Sequence, residues 1–234
     1  MKNYRFLLFD ADYTLLDFDK DMQSTFIQTY QQAGLDKFRP YSADILARYE
    51  HFNNLWWACF ERGECKKEML YINRFQDFAD FYQFPIDPAA LNAMYFDNLQ
   101  KNGTAYPGAN ALIEKLSETH EVYMVTNANA STQPLRLKKA GFENLLPRCF
   151  ISETVGVGKP DKRYFDYVFA NIPDFRKEEA IVIGDGLHAD ILGAHNAGID
   201  SIWYNPRELP NPTQIPVTFE VKSYAEILSV LGVV

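Results

Sequence analysis

The sequence predicts a doubly wound α/β domain with an all-helical insert, and three observations carry that expectation. Short apolar runs recur along the chain, each stopping at a polar residue or glycine; segments of helical length separate the later runs; and a long aromatic stretch divides the first run from the second. Continuous apolar runs suit strands of a parallel sheet, because helices cover both of its faces. At 234 residues and 47% hydrophobic content, the chain can bury one substantial core plus a smaller inserted unit.

The runs expected to be strands are Arg5 to Phe9, Glu121 to Val125, Phe150 to Ile151, Ala180 to Ile183 and Ser201 to Tyr204. A further short strand is expected near Phe219, after the Pro-rich surface loop Pro206 to Pro216. Helical period marks Gly108 to Thr119, Gln133 to Ala140, Lys162 to Asn171 and Ala189 to Ala197, several entered through Pro or Asp and left through Gly141 or Gly198. This alternation is the signature of a doubly wound sheet. From about Leu16 to Thr104 the texture changes: Phe26, Tyr30, Tyr49, Phe52, Trp56, Trp57, Phe60, Phe75 and Phe78 fall largely at three- and four-residue spacings. Several packed amphipathic helices follow from that period. The expected organisation is therefore residues 1–15 with 105–234 as the α/β core, and 16–104 as a helical cap domain.

Composition narrows the function. A net charge of -8 gives no electrostatic footprint for a nucleic-acid polymer or an anionic membrane. There is no signal-like apolar region at the start and no apolar stretch of membrane-spanning length, so a cytoplasmic location is the default expectation. Cys59, Cys65 and Cys149 form no C-x-x-C pair and read as reduced thiols. A small phosphorylated ligand stays compatible with an acidic chain if a cation and backbone N–H groups cancel its charge locally.

In an open parallel sheet the ligand lies beyond the carboxyl ends of the strands, so the residues after each run are the place to look. Asp10-Ala11-Asp12-Tyr13-Thr14 follow the first run, Thr126-Asn127 the second, Lys159-Pro160 the third, and Gly184-Asp185 with Asp190 the fourth. Each piece has a bland alternative: Asp12 as a helix cap, Thr126 and Asn127 as a turn, Lys159 as a solvated charge. Their joint order is what a phosphoryl-transfer site needs. A carboxylate can attack phosphorus only where the phosphate charge is neutralised, and carboxylates such as Asp10 and Asp185 suit Mg²⁺. Lys159, the Thr126 hydroxyl and the Asn127 N–H can bind phosphoryl oxygens, while Asp12, two residues beyond Asp10, can serve as acid and base.

These segments resemble the four motifs of the haloacid dehalogenase superfamily, and the resemblance spans the whole chain. It implies a Rossmann-like core, Asp10 as nucleophile, Asp12 as general acid/base, Thr126 and Lys159 on the phosphate, and Asp185 with Asp190 as the acidic metal-site pair. It adds the backbone carbonyl of Asp12 as a Mg²⁺ ligand and gives Asp190 a metal-supporting role. Two positions depart from the usual pattern: Ala128 stands where Gly often follows Thr-Asn, and Gly186 where Ser or Thr often follows Gly-Asp.

Among capped members, Phe9 to Leu15, Leu55-Trp56 with Gly63, Ile151 to Pro160 and Asp190 to Ala194 look like the pyrimidine 5'-nucleotidase branch. That implies a phosphomonoesterase acting on nucleoside 5'-monophosphates through an aspartyl-phosphate. Trp56, able to stack on a base, and Arg62, able to reach a polar group, are candidate substrate contacts; the alternative is that Trp56 packs in the helices and Arg62 is solvated. A sugar-phosphate phosphatase, a phosphomutase of the same fold, and a phosphate-binding or signalling module are the competing readings.

Overall fold

The computed structural model describes residues 2–146 and 148–233. Six strands, β1 (Phe6–Phe9), β2 (Glu121–Thr126), β3 (Cys149–Ile151), β4 (Ala180–Gly184), β5 (Asp200–Tyr204) and β6 (Phe219–Val221), form one sheet. Its order is β3-β2-β1-β4-β5-β6 and every adjacent pair is parallel. This is the expected doubly wound α/β fold.

The helices are α1 (Phe18–Gln32), α2 (Ala43–Glu61), α3 (Lys67–Tyr82), α4 (Pro88–Leu99), α5 (Ala109–Ser117), α6 (Gln133–Lys139), α7 (Ser152–Val155), α8 (Lys162–Ala170), α9 (Leu192–Ala197) and α10 (Tyr224–Val230). Successive side chains of a strand point to opposite faces, so each strand feeds two cores. Leu7, Phe9, Met124, Ile181 and Ile183 pack with Leu112 and Leu116 of α5 and Leu137 of α6. Phe6, Leu8, Val125 and Val182 pack with Phe165 and Val168 of α8 and Ala194 of α9. A Cβ at Gly193 would lie 2.7 Å from the Phe165 ring, so this glycine lets α9 approach α8 closely.

The chain divides into two compact units, residues 1–18 with 103–234 and residues 19–102. The second unit is helical and its core is aromatic. Phe26 stacks on Tyr49 with ring centroids 4.2 Å apart, and Tyr49 stacks on Phe75 at 5.3 Å. Phe78 meets Phe26 edge-on at 5.4 Å. Arg74 is buried inside this cluster, its guanidinium 4.8 Å from the ring centroids of both Phe75 and Tyr95. Two of its nitrogens donate to side-chain oxygens of Asn53 and Asn92 at 2.9 and 3.0 Å. Neutral acceptors and ring faces thus solvate this cation where water is excluded.

The structure departs from the expected elements at three places. Thr126 is the last residue of β2 rather than the first beyond it, because its backbone pairs in register with Ile151. The helix expected to start at Ala189 begins as a wide turn, Leu187–Ile191, before α9. Two short helices, α7 and α10, lie outside the expected elements; α7 spans only four residues, too few for a period to show, whereas α10 has its signal in Ser223, whose hydroxyl accepts from the Glu226 N–H at 3.3 Å. No helix among the described residues is long and apolar enough to cross a membrane.

Candidate active site

The order of strands places the site. From β1 the chain proceeds outward to β2 and β3, then returns to place β4 on the opposite side of β1. That reversal opens a crevice beyond the carboxyl ends of β1 and β4. Phe9 pairs with Ile183, and the Asp10 N–H donates to the Ile183 carbonyl at 2.8 Å, so Asp10 and the Gly184-Asp185 turn emerge side by side. Thr126 and Asn127 arrive at the end of β2.

Asp10 is 8% exposed and Lys159 2%. The Lys159 ammonium donates to Asp10 Oδ1 at 2.6 Å, to Asp190 Oδ1 at 2.6 Å and to the Val125 carbonyl at 2.8 Å. The hydroxyl of Thr14 lies 3.4 Å from Asp10 Oδ2 and accepts from the Asp185 N–H at 3.1 Å, which ties the first motif to the fourth. Carboxylate oxygens of Asp10, Asp185 and Asp190 lie within 4.8 Å of one another. Burial pushes the Asp10 carboxyl up to about 7, although Lys159 opposes the rise. Asp185 is raised as well, by burial first and then by the charges of Asp10 and Asp190. Lys159 is raised despite its burial, because Asp10 and Asp190 favour the ammonium.

This electrostatic pattern describes a centre short of positive charge. Three carboxylates and one ammonium leave a net of two negative charges if all are ionised, and one divalent cation would cancel them. The donor set is all oxygen, which suits a hard ion such as Mg²⁺. Asp190 is nonetheless already engaged: Oδ1 accepts from Lys159, and Oδ2 from the Gly186 N–H at 3.0 Å. Both glycines around Asp185 serve this arrangement. A Cβ at Gly184 would sit 2.3 Å from the Asp190 carboxyl carbon, and one at Gly186 would sit 3.1 Å from its Oδ2. The Gly186 departure from the usual motif is thus a close backbone approach to Asp190.

Asn127 uses its side chain to hold Lys159 in place. Its Nδ2 donates to the Lys159 carbonyl and its Oδ1 accepts from the Lys159 N–H, both at 2.9 Å. Gly158 makes room for that pair, since a Cβ there would lie 2.4 Å from Asn127 Oδ1. The Thr126 hydroxyl is buried and accepts from the Ala128 N–H at 3.2 Å, so its own proton is free of that bond. Ala128 thereby supplies the turn N–H in place of the usual glycine. The loop after β2 is also tied to α7, where Glu153 accepts from the Ala130 N–H at 2.8 Å.

Asp12 forms an ion pair with Arg136, whose Nη2 lies 2.8 Å from Oδ1 and whose Nη1 donates to Oδ2 at 3.1 Å. Arg136, Thr14 and Glu153 were not among the residues expected from the sequence. Thr14 enters only as the last residue of the Asp10-to-Thr14 motif, and Arg136 stands in an ordinary amphipathic stretch. The available signal was Gln133 with Arg136, a polar pair one helical turn apart on the face that bears Leu137. Trp56 and Arg62 belong to the helical unit. The Trp56 indole N–H donates to Asp77 at 2.7 Å, and Arg62 pairs with exposed Glu64 at 2.6 Å.

Fold and site together define a hydrolase of the haloacid dehalogenase-like class. The model of that family matches residues 4–198, and the chain belongs to it. Within the family it is 35% identical to the HAD-hydrolase YfnB of Bacillus subtilis, over all of this chain and 97% of that one. It is 36% identical to the pyrimidine 5'-nucleotidase PynA of Streptococcus pneumoniae, covering 97% and 95% of the two chains. The pyrimidine 5'-nucleotidase YjjG of Escherichia coli is 28% identical, with 96% of each chain covered. The crystal structure of YfnB bound to magnesium superposes with a TM-score of 0.92 over 99% of this chain and 100% of that one.

Proposed function

We propose that the chain is a Mg²⁺-dependent phosphomonoesterase that hydrolyses pyrimidine nucleoside 5'-monophosphates through an aspartyl-phosphate on Asp10. The observation that carries this reading is the pairing of roles at the end of β1: Asp10 is held by Lys159, and Asp12, two residues on, is held by a separate cation. Full-length likeness to two pyrimidine 5'-nucleotidases supports the substrate class.

In the first step an Asp10 oxygen forms a bond to phosphorus as the ester P–O bond breaks, and Asp12 gives its proton to the departing alkoxide. In the second step Asp12 takes a proton from water, the water oxygen bonds to phosphorus, and the Asp10–phosphorus bond breaks to release inorganic phosphate. Lys159, the Thr126 hydroxyl and the Asn127 N–H bind the phosphoryl oxygens through both steps. Asp10 and Asp185, with the backbone carbonyl of Asp12, would hold Mg²⁺, which neutralises phosphate charge when bound. Asp190 fixes Lys159 and the turn that carries Asp185. Trp56 and Arg62 are proposed as substrate contacts of the helical unit.

The test is a phosphate-release screen of nucleoside monophosphates and sugar phosphates with and without Mg²⁺, run on the wild type and Asp10→Asn. The expected result is Mg²⁺-dependent release, highest kcat/KM on pyrimidine 5'-monophosphates, and no turnover by Asp10→Asn. Full turnover in excess chelator, or by Asp10→Asn, overturns the mechanism. A preference for sugar phosphates overturns the substrate alone.

A further inference from the structure

Arg136 lies outside the four motif segments, yet it is held more tightly than a surface cation. Pro at the start of α6 sets the entry of the helix, which turns Gln133 and Arg136 inward together. Gln133 is 0% exposed and Arg136 1%. Gln133 Oε1 accepts from Arg136 Nη1 at 2.8 Å, and the guanidinium lies 5.1 Å from the centroid of the Phe18 ring. The backbone of Arg136 is equally confined, since a Cβ at Gly103 would fall 2.3 Å from its carbonyl oxygen. Ring, amide and neighbouring backbone thus hold the guanidinium against Asp12.

We infer that Arg136 is the positioning residue for Asp12, fixing the carboxylate in one orientation for both proton transfers. The inference rests on the reading of Asp12 as the acid and base given above. A buried arginine carries a desolvation cost that only good geometry offsets, and nothing in helix packing alone requires a charge here. The guanidinium faces both Asp12 oxygens: Nη1 donates to Oδ2 at 3.1 Å, and Nη2 stands 2.8 Å from Oδ1 as an ion-pair contact without a hydrogen bond. Each carboxylate oxygen has two lone pairs. The Nη1 hydrogen bond engages one on Oδ2 and leaves the other open for the proton that passes to the alkoxide and later arrives from water. Arg136 itself keeps its protons throughout. Without it, the Asp12 side chain would turn freely about its two torsions, and misplacement by about 1 Å can lower a rate by around 10²-fold.

The experiment compares Arg136→Met, Arg136→Lys, Asp12→Asn and the double variant Asp12→Asn/Arg136→Met, on uridine 5'-monophosphate and p-nitrophenyl phosphate with Mg²⁺. Arg136→Met is expected to lower kcat on the nucleotide by about 10²-fold while KM moves by less than about threefold, the mark of a contact that acts in the transition state. On the aryl phosphate, whose phenolate departs without a proton, it should retain the initial burst and slow only the subsequent turnover. Arg136→Lys should recover part of the loss, having charge without the planar guanidinium. The double variant should be no slower than Asp12→Asn alone, because residues acting through one another do not add.

A folded Arg136→Met enzyme with wild-type kcat, or a double variant that loses a further ~10²-fold, would make the arginine structural and overturn the assignment. If Arg136→Met does not fold by circular dichroism, Gln133→Met gives the same test. Removing one fixing contact should cost kcat on the nucleotide several-fold and spare the aryl burst, and an unchanged kcat counts against the inference. Asp12→Asn with wild-type turnover of the nucleotide would instead bring down the reading of Asp12, and this assignment with it.

Discussion

At the scale of single residues, the site depends as much on absent side chains as on present ones. Gly184 and Gly158 are not in the left-handed backbone region; each is small because a functional side chain occupies the space of its missing Cβ. Alanine at 158 would drive into Asn127 Oδ1 and force apart the two hydrogen bonds that fix the Lys159 backbone. Lys159 reaches Asp10 and Asp190 at 2.6 Å only from that anchored position. On the proposed mechanism we therefore expect Gly158→Ala to lower kcat by about 10- to 100-fold with little change in thermal midpoint, since a displaced Lys159 would cost rate before it costs stability. Steady-state kinetics beside a melting curve would check it, and wild-type kcat would show that the loop absorbs the methyl group. The grouping of Asp10, Lys159, Asp185 and Asp190 was legible in the sequence because these side chains follow apolar runs. Their supports were not: nothing local indicates that Asn127 would bond to Lys159, 32 residues away.

At the scale of elements, legibility followed burial. Strands covered on both faces announce themselves as apolar runs, as β1 to β5 do, whereas the edge strand β6 has two of its three residues exposed and shows in the sequence only through the Pro-rich loop before it. The departures fell where local geometry, not hydrophobic pattern, decides the backbone, as in the wide turn at Leu187–Ile191, held by the Asp190 bond to Gly186. The helical unit shows the same rule in aromatic form. Phe75 is 0% exposed and lies 5.3 Å from Tyr49 and 5.5 Å from Tyr95, whereas Phe38 is 64% exposed. Removing the buried ring leaves a cavity that rigid neighbours cannot fill, so Phe75→Ala should cost about 3–5 kcal/mol. Phe38→Ala should stay within about 0.5 kcal/mol of wild type, as surface substitutions do. Urea unfolding of both variants measures the contrast, and equal losses would contradict the core described for this unit.

At the scale of the whole molecule, an acidic chain must still hold a dianionic phosphate, and the charge at the end of β1 and β4 sets the terms. Burial raises Asp10 to about 7 and raises Asp185 too, each from the ordinary 3.8. A carboxyl raised in the folded state favours folding while it keeps its proton. That contribution is complete below about pH 4 and is lost as pH rises through the folded value near 7. Lys159 is raised above its ordinary 10.5, so its contribution is constant over this interval and falls only at still higher pH. Half-buried His120 is lowered by burial and acts in the opposite sense near neutrality, so the cluster is best isolated as the difference between wild type and Asp10→Asn. In metal-free buffer that difference in unfolding free energy should shift against the wild type from pH 5 to pH 8. Mg²⁺ and protons compete for the same oxygens, so the cation should stabilise wild type more at pH 8 than at pH 5. At 100 times its dissociation constant it would add about 2.7 kcal/mol by mass action. Asp185→Asn should lose most of that gain while keeping its fold, because Asp185 belongs to the cluster and not to either apolar core. Scanning calorimetry at the two pH values, with Mg²⁺ and with chelator, gives all three quantities, and a pH-independent gain that survives Asp185→Asn would place the cation somewhere other than this cluster.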